Sequence, residues 1–169
     1  VTFPELKQHI RTWVVDTLAM EVIFAPALGP RPLDQYALLN IVSVEKLIND
    51  VRTETRLGSG AIQADYQGIR KVMASVNVYR GDVMTEMVDL RSSLSRILTQ
   101  DYFNALDIGI INSSNVNHIP ELIGKDWEDR SQCDFFFHYL PTIQNDPDIG
   151  EIKQIEVTNE INGETIIIT

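Results

Sequence analysis

The chain is predicted to fold as an α+β protein: a mixed, mostly antiparallel β-sheet with two main α-helices packed on one face, and a protruding β-hairpin. Three observations carry that prediction. Apolar residues recur at three- and four-residue steps over 3–19 and 83–99, the period of a helix with one buried stripe. They alternate with period two over 69–80 and 132–140, the pattern of strands. The order helix, strands, helix, strands lacks the regular strand-helix alternation that builds a parallel sheet.

In the first helix, 3–19, the apolar face is Leu6, Ile10, Trp13, Val14, Thr17 and Leu18. Thr2 and Glu5 have capping-box spacing at its start. Residues 21–25 make a short apolar strand, closed by Pro26, Gly29, Pro30 and Pro32, because proline lacks a ladder donor and glycine admits positive φ. The strand 36–44 places Tyr36, Leu38 and Val42 on one face and Ala37, Leu39 and Ile41 on the other. Apolar on both, it belongs at the centre of its sheet or beneath a second subunit. Over 45–67 the pattern weakens, and Arg52, Glu54, Arg56 and the Gly58-Ser59-Gly60 turn predict a protruding hairpin or a mobile loop, bounded by charge and glycine.

Residues 69–80 alternate strictly, with Val72, Ala74, Val76 and Val78 on one face and Lys71, Ser75 and Asn77 on the other, which predicts a strand with one wet face. Asp82 follows as the cap of a helix running to Thr99, whose buried stripe is Val83, Met87, Leu90, Leu94 and Ile97. Residues 102–106 add a helical turn, 108–111 a short strand and 112–118 a polar loop. In the strand 132–140, Cys133, Phe135, Phe137 and Tyr139 face one way and Asp134, Phe136 and His138 the other. The last strand, 151–158, turns through Asn162-Gly163 into 165–169, a type I′ hairpin signal. With no repeat or low-complexity linker, a single domain over 1–169 is expected, with a C-terminal hairpin extension at about 151–169. The apolar content of the second sheet face points to assembly.

Composition narrows the function classes. A chain of 169 residues, 44% hydrophobic and 22% charged, can build a core without disulfide or metal. Cys133 is the one cysteine, so no internal disulfide is possible and a buried apolar role is expected. No apolar run approaches the roughly 20 residues that span a bilayer, and the first residues lack the basic-then-apolar order of a signal peptide. No membrane partner and a cytoplasmic origin are therefore expected. A net charge of −10 argues against groove binding of nucleic acid, which needs clustered Lys and Arg, yet suits an acidic surface past which DNA slides without sticking.

Catalytic chemistry finds no footing. His9, His118 and His138 are far apart in sequence and lack the ligand spacing of a zinc site. Cys133 and His138, five apart in one strand, fall on opposite faces. Glu128 and Asp129 are adjacent, and neighbours in sequence rarely converge on one bond. They read instead, with Trp127 as an anchor, as the lead-in to the aromatic strand. Gly58-Ser59-Gly60 is followed by Ala61, without the lysine of a phosphate-binding loop. Catalytic, cofactor-binding and metal-binding residues are therefore expected to be none. Arg52, Arg56, Arg70 and Lys71 are the one basic concentration, read either as a solvated hairpin or as a docking surface for an acidic neighbour.

Several segments stand in a telling order: Ala-Met-Glu-Val-Ile-Phe-Ala at 19–25, a proline-rich link into 36–41, the strand 76–79 before the Asp82 helix, Trp127-Glu128-Asp129-Arg130, the aromatic strand, and 146–150 leading into 152–158. In that order they resemble the neck, or tail-terminator, family of tailed bacteriophages. The resemblance spans most of the chain and is weakest at 49–66 and 112–124. Ser131 stands where that family more usually has alanine, and the Asn-Gly hairpin continues past the end of many members. The resemblance implies a structural virion protein of the neck, made in the host cytoplasm, that forms a homohexameric ring. Such a ring caps the tail tube, ends tube polymerisation and offers its other face to the head-tail connector or stopper protein, with the tail sheath as a further neighbour and DNA passing through unbound. A ring needs a heterologous interface that closes after a fixed rotation, and sheet edges suit strand addition between chains. The candidate assembly contacts are Arg52, Arg56, Arg70 and Lys71, with Ile155, Val157, Ile166 and Ile168 of the final strands. The hairpin 45–67 is expected to project along the axis toward the tube or connector. Competing readings are a tail-completion or connector-stopper protein and a small α+β enzyme or ligand-binding domain; the second requires convergent polar groups in a pocket, which the sequence does not nominate.

Overall fold

In the computed structural model, which describes residues 1–26, 31–56, 62–123, 125–149, 155–158 and 165–168, the chain opens with α1 (Phe3–Leu18), β1 (Glu21–Phe24) and β2 (Tyr36–Lys46). The strands β3 (Val51–Arg56), β4 (Ile62–Gln67) and β5 (Arg70–Tyr79) follow, then the helices α2 (Val83–Ser93) and α3 (Ile97–Asn104). After them come β6 (Ile108–Ser113), β7 (Asn117–His118), β8 (Glu121–Ile123), β9 (Asp126–Glu128) and β10 (Arg130–Tyr139). The chain closes with β11 (Thr142–Ile149), β12 (Ile155–Thr158) and β13 (Thr165–Ile168). These elements form two compact units, Val1–Asp50 with Gly68–Thr142 and Val51–Gln67 with Ile143–Thr169.

The first unit holds the main sheet, in the order β1-β2-β5-β10-β6, with β7 also paired to β10. Only β1 and β2 run parallel, with Glu21 opposite Tyr36, so the sheet is mixed and mostly antiparallel as predicted. The two-faced apolar strand β2 has a neighbour on each side, as its composition requires. Register brings Leu39, Val76 and Cys133 into one row, and Ala37, Val72, Ala74, Val78, Phe135 and Phe137 share that face, all fully buried. Val42 has no partner between the pairs Ile41–Ala74 and Ser43–Met73, a bulge that shifts the strand by one residue.

Helices cover this face. α1 starts at the predicted capping box, in which the Thr2 amide donates to the Glu5 carboxylate at 2.8 Å and the Glu5 amide donates to the Thr2 hydroxyl at 3.5 Å. It stops at Ala19, in the left-handed region at φ 52°, whose amide donates to the Val15 carbonyl. The Asp82 carboxylate caps α2 through the Thr85 amide at 3.3 Å. The single helix predicted to Thr99 is, however, two helices. From Leu94 to Arg96 the amides donate three residues back, to Arg91, Ser92 and Ser93, tightening and ending the helix. Ile97 therefore leaves the buried stripe and is 74% exposed at the start of α3, a third helix among the described residues that takes in the start of the helical turn expected at 102–106.

Trp13 ties these layers together. Its indole, 4% exposed, meets Phe103 of α3 at 5.8 Å and Phe135 and Phe137 of β10 at 5.1 and 6.0 Å, all edge to face. Its N–H donates to the Ser93 hydroxyl at 3.0 Å, which donates onward to the Leu90 carbonyl at 2.7 Å. The buried polar group is thereby satisfied inside an apolar core. Ser131, where alanine is more usual in the family the sequence resembles, donates to the Val83 carbonyl at 2.7 Å from a fully buried position. Its hydroxyl fastens β10 to the first residue of α2.

Two further expectations are corrected. The second face of β5 is not wet: Ser75 and Asn77 are buried, because Arg130 and Gln132 of the adjacent strand reach across to Asn77 at 2.8 Å and Ser75 at 3.1 Å. Long side chains on one strand cover short ones on the next. Trp127 is no anchor, being 71% exposed. It stands opposite Leu122 in the separate two-stranded ladder of β8 and β9, outside the main sheet.

In the second unit, β3 and β4 form the expected hairpin, from Val51 opposite Gln67 to Arg56 opposite Ile62; its Gly58-Ser59-Gly60 turn lies outside the described residues. The sheet order is β11-β4-β3. The sequence reading missed β11 because Pro147 interrupts it, and proline is tolerated in an edge strand. β12 and β13 pair antiparallel with Thr158 opposite Thr165. A two-residue Asn162-Gly163 loop would instead set Thr158 opposite Ile167, so the ladder is two residues out of that register. Asn162 and Gly163, like 151–154, lie outside the described residues.

Replacing Trp13 by Ala is expected to cost about 3–5 kcal/mol of stability, and Ser93→Ala about 1–3 kcal/mol by orphaning the indole N–H. Urea unfolding of both variants, followed by circular dichroism, measures this.

Candidate assembly surface

On the face of the main sheet that carries no helix, side chains cover the strands. Tyr36 and Tyr79 are directly opposite in the β2–β5 register, and their rings stack at 4.9 Å and 7°. Three guanidinium groups lie over them: Arg31 and Arg130 at 5.5 and 5.6 Å from the Tyr79 ring, and Arg80 at 5.9 Å from Tyr36. Like charges this close need counterions. Glu128 supplies one, 3.0 Å from Arg31 and 2.5 Å from Arg80; Glu121 supplies the other, 3.6 Å from Arg31 and 3.7 Å from Arg130. Burial pushes the phenols of Tyr36 and Tyr79 above their ordinary pKa.

Arg80 reaches this position through an uncommon backbone. It sits at φ 66° and is followed by Gly81 at φ 72°, a conformation that costs a non-glycine residue on the order of 1–3 kcal/mol. Its amide donates to the Asp129 carbonyl at 3.1 Å, and its guanidinium donates to the carbonyls of Pro32 and Leu33. Those contacts hold the turn and join the proline-rich link to the sheet. Sequence reasoning missed the cluster: the Tyr36 and Tyr79 positions follow strand parity, but Arg31 and Glu121 lie in segments with no readable period.

The predicted basic concentration does not form one surface among the described residues. Arg70 and Lys71 are adjacent in β5, so they take opposite sheet faces. Lys46 and Arg70 are directly opposite in register, and Asp50 bridges the two cations, 2.8 Å from Lys46 and 2.6 Å from Arg70. Hydrogen bonds from Lys46 and then Arg70 hold the Asp50 carboxyl below the usual carboxylate range. A methyl at Gly68 would lie 2.1 Å from Asp50 Oδ1, so this clamp requires glycine there. Lys71 sits with its ammonium 5.2 Å from the Phe136 ring. In the second unit Arg52 pairs with Glu54 at 2.7 Å, both exposed. The Arg56 side chain, and those of Ile155, Val157, Ile166 and Ile168, lie outside the described residues. The backbone register does place Ile155 opposite Ile168 and Val157 opposite Ile166, four positions on one side of their ladder.

A cleft of about 530 Å³ lies beside the arginine cluster, lined by Arg31, Arg80, Gly81, Asp126, Trp127, Glu128 and Asp129. Both of its cations are held by Glu128, and it contains no nucleophile paired with a base. Cys133 is fully buried and burial pushes its thiol up, so it packs as an apolar residue. His9 contacts Tyr102 at 3.2 Å, His118 lies 3.4 Å from Asp129, and His138 pairs in register with Lys71. The three histidines stay apart. Among the described residues no His, Cys, Asp and Glu gather as metal ligands, and no helix is long and apolar enough to cross a membrane.

Gly68→Ala is expected to drive the Asp50 carboxylate off its cations, read as a fall in melting temperature. The folded-state pKa of Asp50 is lowered, so its contribution is present above the unfolded value of about 3.9 and is lost as pH falls through the folded one. Stability of Asp50→Asn measured from pH 7 to pH 2 should therefore lack that part of the acid loss. No curated protein matches the chain. A family model described as phage neck terminator protein matches residues 5–165. That match takes in nearly the whole chain, the arginine cluster and the exposed hairpin included, and the chain belongs to the phage neck terminator protein family, whose members are structural parts of the virion neck.

Proposed function

We propose that copies of this chain form a homohexameric ring that caps the tail tube, ends tube polymerisation and presents its opposite face to the head-tail connector. The family match from residue 5 to 165 carries this reading, because it runs through both compact units. Supporting it, the main sheet ends in β1 on one side and in β6 and β7 on the other, edges suited to pairing between chains. In this reading Ile155, Val157, Ile166 and Ile168 pair with a neighbouring subunit or partner by strand addition. The β3–β4 hairpin, with Arg52 and Arg56, contacts the tube or connector, as does Lys71. Arg70 serves from within, through Asp50. A ring multiplies the net charge of −10 around its axis, so that DNA passes an acidic wall without binding it.

Negative-stain images of the purified full chain are expected to show rings with a central hole, and phage deleted for it to carry tails that overrun their normal length. Monomers at every concentration would sink the ring. Normal tail lengths on headless tails would assign the chain to the connector side instead.

A further inference from the structure

We infer that Asp50 is a latch at the root of the β3–β4 hairpin. Closed on Lys46 and Arg70, it holds that root in order; released, it lets the hairpin open as one unit while the main sheet stays folded. The inference concerns the single chain and holds whether or not copies assemble.

The root is a joint with unequal sides. The β2–β5 ladder ends at Lys46 opposite Arg70, and the β3–β4 ladder begins at Val51 opposite Gln67. Between these pairs lie Leu47, Ile48, Asn49 and Asp50 on one side, but Gly68 and Ile69 alone on the other. Extra residues on one strand interrupt a ladder. Among the described residues one backbone bond crosses the joint, from the Leu47 amide to the Ile69 carbonyl at 3.1 Å. Burial does not hold it either, since Leu47 and Ile48 are 42% and 55% exposed. Segments with few buried contacts and few backbone bonds are the ones that open locally.

The Asp50 carboxylate closes the joint by reaching back to Lys46 and Arg70, at 2.8 and 2.6 Å. Arg70 is the fixed member of this set. It lies within β5, opposite the buried Tyr139 of β10, and its side chain is 13% exposed. Its Nη1 is buried with no acceptor among the described residues, while Nη2 donates to Asp50. A cation so nearly buried is destabilised by loss of its counterion, and opening the joint relieves that by admitting water. Gly68 gives both groups room against bare backbone: a Cβ there would meet Asp50 Oδ1 at 2.1 Å and Arg70 Nη1 at 2.7 Å. The latch can therefore be released in two ways, by removing the charge at position 50 or the space at position 68.

Amide hydrogen exchange of the full chain, read by mass spectrometry, tests this with Asp50→Asn and Gly68→Ala. In each variant the amides of 51–56 and 62–67 are expected to exchange about tenfold faster than in the wild type, the factor that accompanies loss of a hydrogen bond to a charged group. Amides of 72–78 and 131–137, in the middle of the sheet, should keep their wild-type rates. Both substitutions act through one carboxylate, so the double variant should exchange no faster than the faster single one. Unchanged exchange of the hairpin in either variant would overturn the latch. So would hairpin and sheet speeding up by the same factor, which marks a general loss of stability, or two effects that multiply in the double variant.

Discussion

The Trp13 indole sets the geometry on which the rest of the first unit depends. It is the side chain that touches α3 and β10 while its N–H reaches the last residue of α2. An apolar core alone tolerates many arrangements of similar volume; a buried N–H with one acceptor in reach does not. Ser93 supplies that acceptor from the last turn of α2 and passes its own proton to Leu90. The place where α2 ends and the place where α1 packs are therefore fixed by one bonded chain. Ser131 acts likewise between β10 and the start of α2. Two hydroxyl groups, one at each end of α2, hold that helix in register against the sheet.

Much of this was legible in the sequence wherever burial imposed a period. The capping box at Thr2, the Asp82 cap, the apolar rows of β5 and β10 and the mixed sheet all follow from residues whose neighbours are their partners. What escaped depends on contacts between segments without period. The break after Ser93 needed knowledge that its hydroxyl points at Trp13. The dry second face of β5 needed Arg130 and Gln132 from the next strand. β11 hid behind Pro147, and Trp127 was misjudged because burial of tryptophan is a tendency, whereas its hairpin pairs only with itself. The assembly residues were the least legible. Arg70 and Lys71 are neighbours in sequence yet lie on opposite sides of the sheet, one clamped by Asp50 and one beside Phe136.

The helix-free face carries a different kind of order from the core. Three arginines and two glutamates over a tyrosine stack are partly exposed, and each pair alone is worth little in water. Shared carboxylates change that: Glu128 serves Arg31 and Arg80, and Glu121 serves Arg31 and Arg130, so the proline-rich link, β10 and the β8–β9 hairpin are positioned together. A hairpin with few contacts of its own is thereby presented from a fixed base, which suits a projecting contact better than a loose loop.

The unpaired Val42 makes β2 a strand whose two halves are inherited under different rules. Up to Ile41 the odd positions Ala37 and Leu39 serve the core; beyond the bulge the parity reverses, with Val44 in the row of Val72 and Glu45 opposite Lys71. Constraint is greatest in the first half, where Tyr36, Ala37 and Leu39 are buried, and least in the second, where Val42 and Val44 are half exposed. Loss of Val42 alone would leave both halves in the register they already keep against β5, with Ser43 following Ile41 as Met73 precedes Ala74, and would remove only the kink.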